Sequence, residues 1–145
     1  MNTLVINCGS SSIKFALIDE NDSVLVSGKH ERLMDADAAA MASEGRTHES
    51  AISDILAQVQ GHDIDIVGHR IVHGGDSHAE PCLIDETVLA DIERHVPDAP
   101  MHNPYSLAAI HAARTALPEV PQVVMFDTAF HARMPRRSTA YAIDH

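Results

Sequence analysis

Only two cysteines, Cys8 and Cys82, occur in the 145 residues, and neither belongs to a C-x-x-C pair. That excludes a disulfide framework and a zinc knuckle, and it makes a reducing cytoplasm the expected compartment. Positive charge is scarce as well: ten Lys and Arg stand against 21 Asp and Glu, for a net charge of −11. A general nucleic-acid binder needs a basic face, so no nucleic-acid partner is expected. No apolar run approaches the length of a membrane span, and the N-terminus lacks a basic segment followed by a long apolar one. Neither a membrane partner nor a signal peptide is therefore expected. What is present is ordinary for a globular domain with a core of its own: 45% apolar and 21% charged residues.

The most informative stretch is Asn7 to Lys14, N-C-G-S-S-S-I-K. The apolar run Leu4-Val5-Ile6 before it suits a buried strand, and Ile13, Phe15 and Leu17 after it alternate as a half-buried strand should. Gly9 and three serines between them supply turn chemistry. The prediction is a β-hairpin whose tip offers backbone N–H groups, hydroxyls and the Lys14 ammonium. Such a tip suits a phosphate. It is not the phosphate loop of nucleotide-binding α/β proteins, which needs G-x-x-x-x-G-K-[ST] and a following helix. An ordinary Ser-rich turn is the competing reading.

Further elements follow in order. Val24-Leu25-Val26 reads as a third strand after a Glu20-Asn21-Asp22 turn. The Ala-rich acidic segment from Asp35 to Gly45 reads as a solvated surface connection with some helical character. Thr47 caps a helix to about Gln60, with Ile52, Ile55, Leu56 and Val59 on one face and Gly61 as its stop. A strand from Ile64 ends at Gly74-Gly75. Asp85 caps a second helix bearing Val88, Leu89, Ile92 and Val96, ended by Pro97. Asn103 caps a third, with Pro104 at its first position. Gln122 to Phe126 is a core strand ending on Asp127. The order β-β-β-α-β-α-α-β predicts a mixed α/β sheet covered by helices.

Several side chains could carry chemistry. Arg70 stands among apolar neighbours, where its guanidinium either grips a carboxylate or phosphate or reaches solvent from a strand edge. Asp127 ends a buried strand, an edge where α/β sheets bind ligands; an Asx-turn is the alternative. His69, His73 and His78 cluster, but Gly68, Gly74, Gly75 and the β-branched Ile71 and Val72 oppose a metal-binding helix. His102 sits in a Pro-bounded loop. His30, His48, His62, His95, His111 and His145 read as scattered surface residues.

Four stretches, N-C-G-S-S-S-I-K, G-H-R-I-V-H-G-G, A-P-M-H-N-P and V-M-F-D-T-A-F-H, occur in this order. Together they resemble the N-terminal half of acetate kinases, the acetokinase family. The resemblance covers nearly the whole chain and is weakest between Met34 and Gly61. It implies a ribonuclease H-like fold, one half of the two-domain architecture shared by sugar kinases, chaperone ATPases and actin. It also implies reversible phosphoryl transfer from ATP to acetate, giving acetyl phosphate and ADP, with Mg²⁺ or Mn²⁺, in a cytoplasmic homodimer.

Position by position, the resemblance implies that Asn7 is associated with the metal. Ser10, Ser12 and Lys14 lie at the ATP phosphates. Arg70 binds the substrate carboxylate, Val72 and Met101 line the acyl pocket, His102 lies near the transferred phosphoryl group, and Asp127 is catalytic. Met101 departs from the Leu common in the family. The family's second domain, with most of the adenine pocket, is expected beyond residues 1–145, so this domain alone is expected to be inactive. Propionate kinase is the nearest alternative, and a non-catalytic anion-binding or interaction domain is another.

Overall fold

Strand alternation sorts the apolar residues onto one side of a six-stranded sheet. In the computed structural model, which describes residues 1–34 and 46–139, the strands are β1 (Thr3–Cys8), β2 (Ser12–Ile18), β3 (Val24–Glu31), β4 (Ile66–Ile71), β5 (Cys82–Leu83) and β6 (Gln122–Phe126). Their order across the sheet is β3-β2-β1-β4-β6-β5. β1, β4 and β6 are parallel, whereas β2, β3 and β5 run antiparallel to their neighbours. The helices are α1 (His48–Gln58), α2 (Glu86–Arg94) and α3 (Asn103–Ala116), followed after β6 by a 3-10 turn (Asp127–His131) and a short helix (Arg136–Thr139). This is the expected mixed α/β sheet of ribonuclease H-like type.

Three helices gather on a single face. Leu4, Ile6, Ile13, Phe15, Leu17 and Val67 pack against Ile52 and Ile55 of α1 and Ala109 and Ala113 of α3. Ile71, Val124 and Phe126 pack against Val88, Leu89 and Ile92 of α2 and Leu107 and Ile110 of α3. Each fully buried Ile or Leu contributes roughly 1.5–3 kcal/mol, so these two clusters dominate the stability. On the opposite face Val5, Ala16, Gly68 and Val123 line up in one register row that α1, α2 and α3 leave uncovered.

Local signals hold at most ends. Thr47 accepts from the Ser50 N–H at 3.1 Å, and the Ser50 hydroxyl accepts from the Thr47 N–H at 3.0 Å. Asp85 accepts from the Val88 N–H at 2.8 Å. Four expectations differ. β3 runs on to Glu31, because pairing with β2 carries S-G-K-H-E along despite its polarity. The two-residue β5, too short for any periodicity, closes the sheet edge. Asn103 does not cap α3: His102 holds the cap position, and Asn103 is the first helical residue, fully buried. His30 and His48 are not surface residues but are buried. The Ala-rich segment at 35–45 lies outside the described residues.

Candidate active site

Parallel strands β1, β4 and β6 end on the same edge of the sheet. There the register places Lys14 beside Asn7, Asn7 beside Arg70 and Arg70 beside Met125. Directly paired residues point to the same face, so two cations and an amide share one row. A cleft of about 230 Å³ opens here, lined by Asn7, Cys8, Gly9, Ser12, Lys14, Arg70, Val72 and His102. A larger hollow of about 490 Å³ lies beside Leu117, Pro118 and Pro121. It sits where the strands begin, and ligands of open α/β sheets bind where they end.

Arg70 organises the cleft. Its Nε donates to Asp127 Oδ1 at 2.8 Å and its Nη2 to Asp127 Oδ2 at 2.6 Å, a two-pronged pair. Its Nη1 donates to Asn7 Oδ1 at 3.1 Å. The Asp127 carboxylate raises the Arg70 pKa further above its ordinary value. The two side chains remain 51% and 40% exposed, so the pair contributes at most about 1 kcal/mol to folding. The head of Arg70 thus reaches solvent at the strand ends while it grips the carboxylate of Asp127.

The hairpin tip is braced from behind. Gly9 N–H donates to Ser12 O at 2.8 Å, and Leu33 N–H to Ser11 O at 3.0 Å. His48 Nε2 lies 2.9 Å from Gly9 O. A carbonyl only accepts, so that nitrogen carries the proton. The His48 ring stacks on Tyr105 at 4.8 Å, and the Cys8 thiol donates to Tyr105 O at 3.2 Å. Burial pushes the Cys8 pKa up to about 12, so its sulfur stays a thiol and is no nucleophile.

Three expected residues stand off the cleft lining: Ser10, Met101 and Asp127, which reaches the cleft only through its pair with Arg70 and itself lines a neighbouring hollow with Met125 and Phe130. Ser10 is half-buried at the hairpin tip, and Met101 is 61% exposed. His69, the neighbour of Arg70, points into the core instead and is buried against Gln122, with Nε2 2.8 Å from Oε1. Two supporting residues escaped sequence reasoning. His48 lies on the same helical stripe as Ile52, Ile55 and Val59, and that spacing was its available signal. Asn103 exchanges bonds with the main chain of His73, accepting from its N–H at 3.3 Å and donating to its O at 2.9 Å. No local pattern announces a partner 30 residues away.

Known proteins share this arrangement of strands. The sequence pattern of the acetokinase family matches residues 2–145. The chain belongs to the acetokinase family. An acetate kinase of Streptomyces coelicolor is 40% identical over 161 aligned positions, which cover 97% of this chain and 40% of that protein. The crystal structure of Porphyromonas gingivalis acetate kinase superposes with a TM-score of 0.86 at 32% identity, over 99% of this chain and 41% of that one. A propionate kinase structure from Francisella tularensis gives 0.84 at 34% identity, with the same coverage. The chain thus spans about 40% of the length of these acetokinase relatives.

Proposed function

We propose that this chain forms one wall of the catalytic cleft of an ATP-dependent acetate kinase. The observation that carries the reading is the Arg70 guanidinium, held between Asp127 and Asn7 in a cleft that Lys14 and His102 also line. A guanidinium has five N–H donors, and three are engaged here, which leaves donors for an acyl carboxylate. Val72 offers an apolar wall to the methyl group. Lys14, Ser10, Ser12 and the hairpin tip face the phosphates, and His102 supplies a donor to the oxygens of the phosphoryl group in transit. Asp127 keeps Arg70 aimed and places a carboxylate at the reacting centre. Such transfer depends on positioning and on cancelling charge over three equatorial oxygens, and these side chains are of that kind.

Mg²⁺ or Mn²⁺ would take hard oxygen donors, and Asn7 Oδ1 and the Asp127 carboxylate are of that kind; each accepts from Arg70 and would offer its remaining lone pair. When bound, the ion would neutralise phosphate oxygens. The adenine pocket and the opposite wall belong, in this reading, to a second domain like that of the longer relatives. A propionate kinase is the second reading, supported by the Francisella neighbour.

The test is hydroxamate trapping of the acyl phosphate formed from ATP, Mg²⁺ and acetate, propionate or butyrate. The complete protein should turn over acetate fastest, and Asp127→Ala should abolish turnover. The 145-residue chain alone should not exceed the no-protein blank. Turnover by the chain alone that Asp127→Ala removes would overturn the one-wall reading. Failure of the complete protein on all three acids would overturn the function.

A further inference from the structure

The loop after β4 and the turn after α2 bring His73, His95 and Asp98 together, with one ligand atom of each within 4.8 Å of the others. We propose that these three side chains form a binding site for a Zn²⁺-class divalent transition metal, separate from the Arg70 cleft. The proposal goes beyond the kinase reading and does not depend on it.

Three independent features support it. First, the chemistry is right: two imidazoles and a carboxylate suit Zn²⁺, Ni²⁺, Co²⁺ or Cu²⁺ rather than Mg²⁺, and three protein ligands leave a fourth position open. His73 Nδ1 accepts from Gly75 N–H at 3.2 Å, so a metal at His73 would replace that bond or take Nε2 once its proton leaves. His95 Nδ1 lies 2.7 Å from Asp98 Oδ2.

Second, the site is pre-organised by a buried side chain. Asn103 Nδ2 donates to His73 O at 2.9 Å and lies 3.4 Å from His95 O, while Asn103 Oδ1 accepts from His73 N–H. One amide thereby pins the backbones of both imidazole donors, the kind of support that metal ligands need. Third, Gly75 lets the His95 ring pack directly against the loop that carries His73. Gly75 has φ +65°, and a Cβ there would come within 2.2 Å of His95 Nε2. The two rings lie 5.2 Å apart between centroids, and a hollow of about 440 Å³ lined in part by His73, Gly75 and His78 adjoins the His73 side.

A metal here would bridge the loop that follows Val72 to the segment that leads into His102. Binding through His95 Nδ1 would displace the proton in its contact with Asp98.

The test is titration of the 145-residue chain with Zn²⁺ by calorimetry and with Co²⁺ by visible absorption, in chelator-free buffer with excess Mg²⁺. Three variants are compared: His95→Ala, Asp98→Asn and, as a control for unrelated imidazoles, His111→Ala. Asp98 is half-exposed, so Asp98→Asn reports even if His95→Ala disturbs the turn. The expected result is one ion per chain, with affinity reduced at least ~10-fold in His95→Ala and Asp98→Asn and unchanged in His111→Ala. Equal affinity in all chains, an equal loss in His111→Ala, or no binding at all would overturn the site.

Discussion

His69 and Arg70 are neighbours on β4, and each joins a polar partner from the β6 segment, yet the two pairs do opposite work. His69 points to the helix-covered face and meets Gln122 in the core, 2.8 Å away and 4% exposed. Arg70 points to the other face and meets Asp127 at the open edge. A strand's two-residue period makes this division unavoidable, since adjacent side chains take opposite faces. Burial drives the His69 pKa down from 6.5 to about 4, so the ring stays neutral and structural. Arg70 keeps its charge and its contact with water, and so remains available to a ligand. Adjacency in sequence therefore says nothing of shared function here; the face decides.

The sharpest way to break that contrast is Arg70→Lys in the complete protein. An ammonium keeps the charge but not the planar fork. We expect kcat/KM for acetate to fall by the equivalent of ~2–4 kcal/mol, with the KM for ATP little changed. Steady-state kinetics with each substrate varied separately give the answer, and equal damage to both KM values would assign Arg70 to the phosphates or the fold instead.

Acid should expose the other half of the contrast. Because His69 protonates more readily unfolded than folded, the unfolded chain binds the extra proton as pH falls from 6.5 towards 4. Its contribution is complete above pH 6.5 and is lost through that window, by ~3 kcal/mol. Urea unfolding of wild type and His69→Met at several pH values should show a steeper acid slope in the wild type. Matching slopes would contradict it.

A smaller effect is expected from Gln122→Leu, which leaves the buried His69 ring without its acceptor. Loss of ~1–3 kcal/mol in chemical denaturation is the expected cost of the orphaned donor. Smallest of all is the change in folding stability of Arg70→Lys, under ~1 kcal/mol by the same measurement, because the pair it disturbs is half in water. A larger loss would place Arg70 with His69 among the structural residues.

Much of the architecture was legible because it rests on local rules. Alternation in I-K-F-A-L, the Thr47 and Asp85 caps and the Gly61 stop depend on neighbours a few residues away. The hairpin at N-C-G-S-S-S-I-K and the strand ending on Asp127 appear where the periodicity put them. β3 beyond Val26, β5 and the burial of His30 escaped, because each depends on a partner strand or helix rather than on its own pattern.

Composition and motif order alone determined the mixed α/β class, the family and the set of chemically interesting residues, since side-chain type and spacing are properties of the chain itself. Which of those residues meet was decided only in three dimensions. Asp127 is 57 residues from Arg70, and Asn103 is 30 from His73. Contacts at that range come from the sheet order and from α3 lying across both core clusters. The same packing turned His48 inward to hold the hairpin tip and set His73 against His95. Hydrogen bonds and ring contacts act over a few ångströms, so only the folded chain could select them.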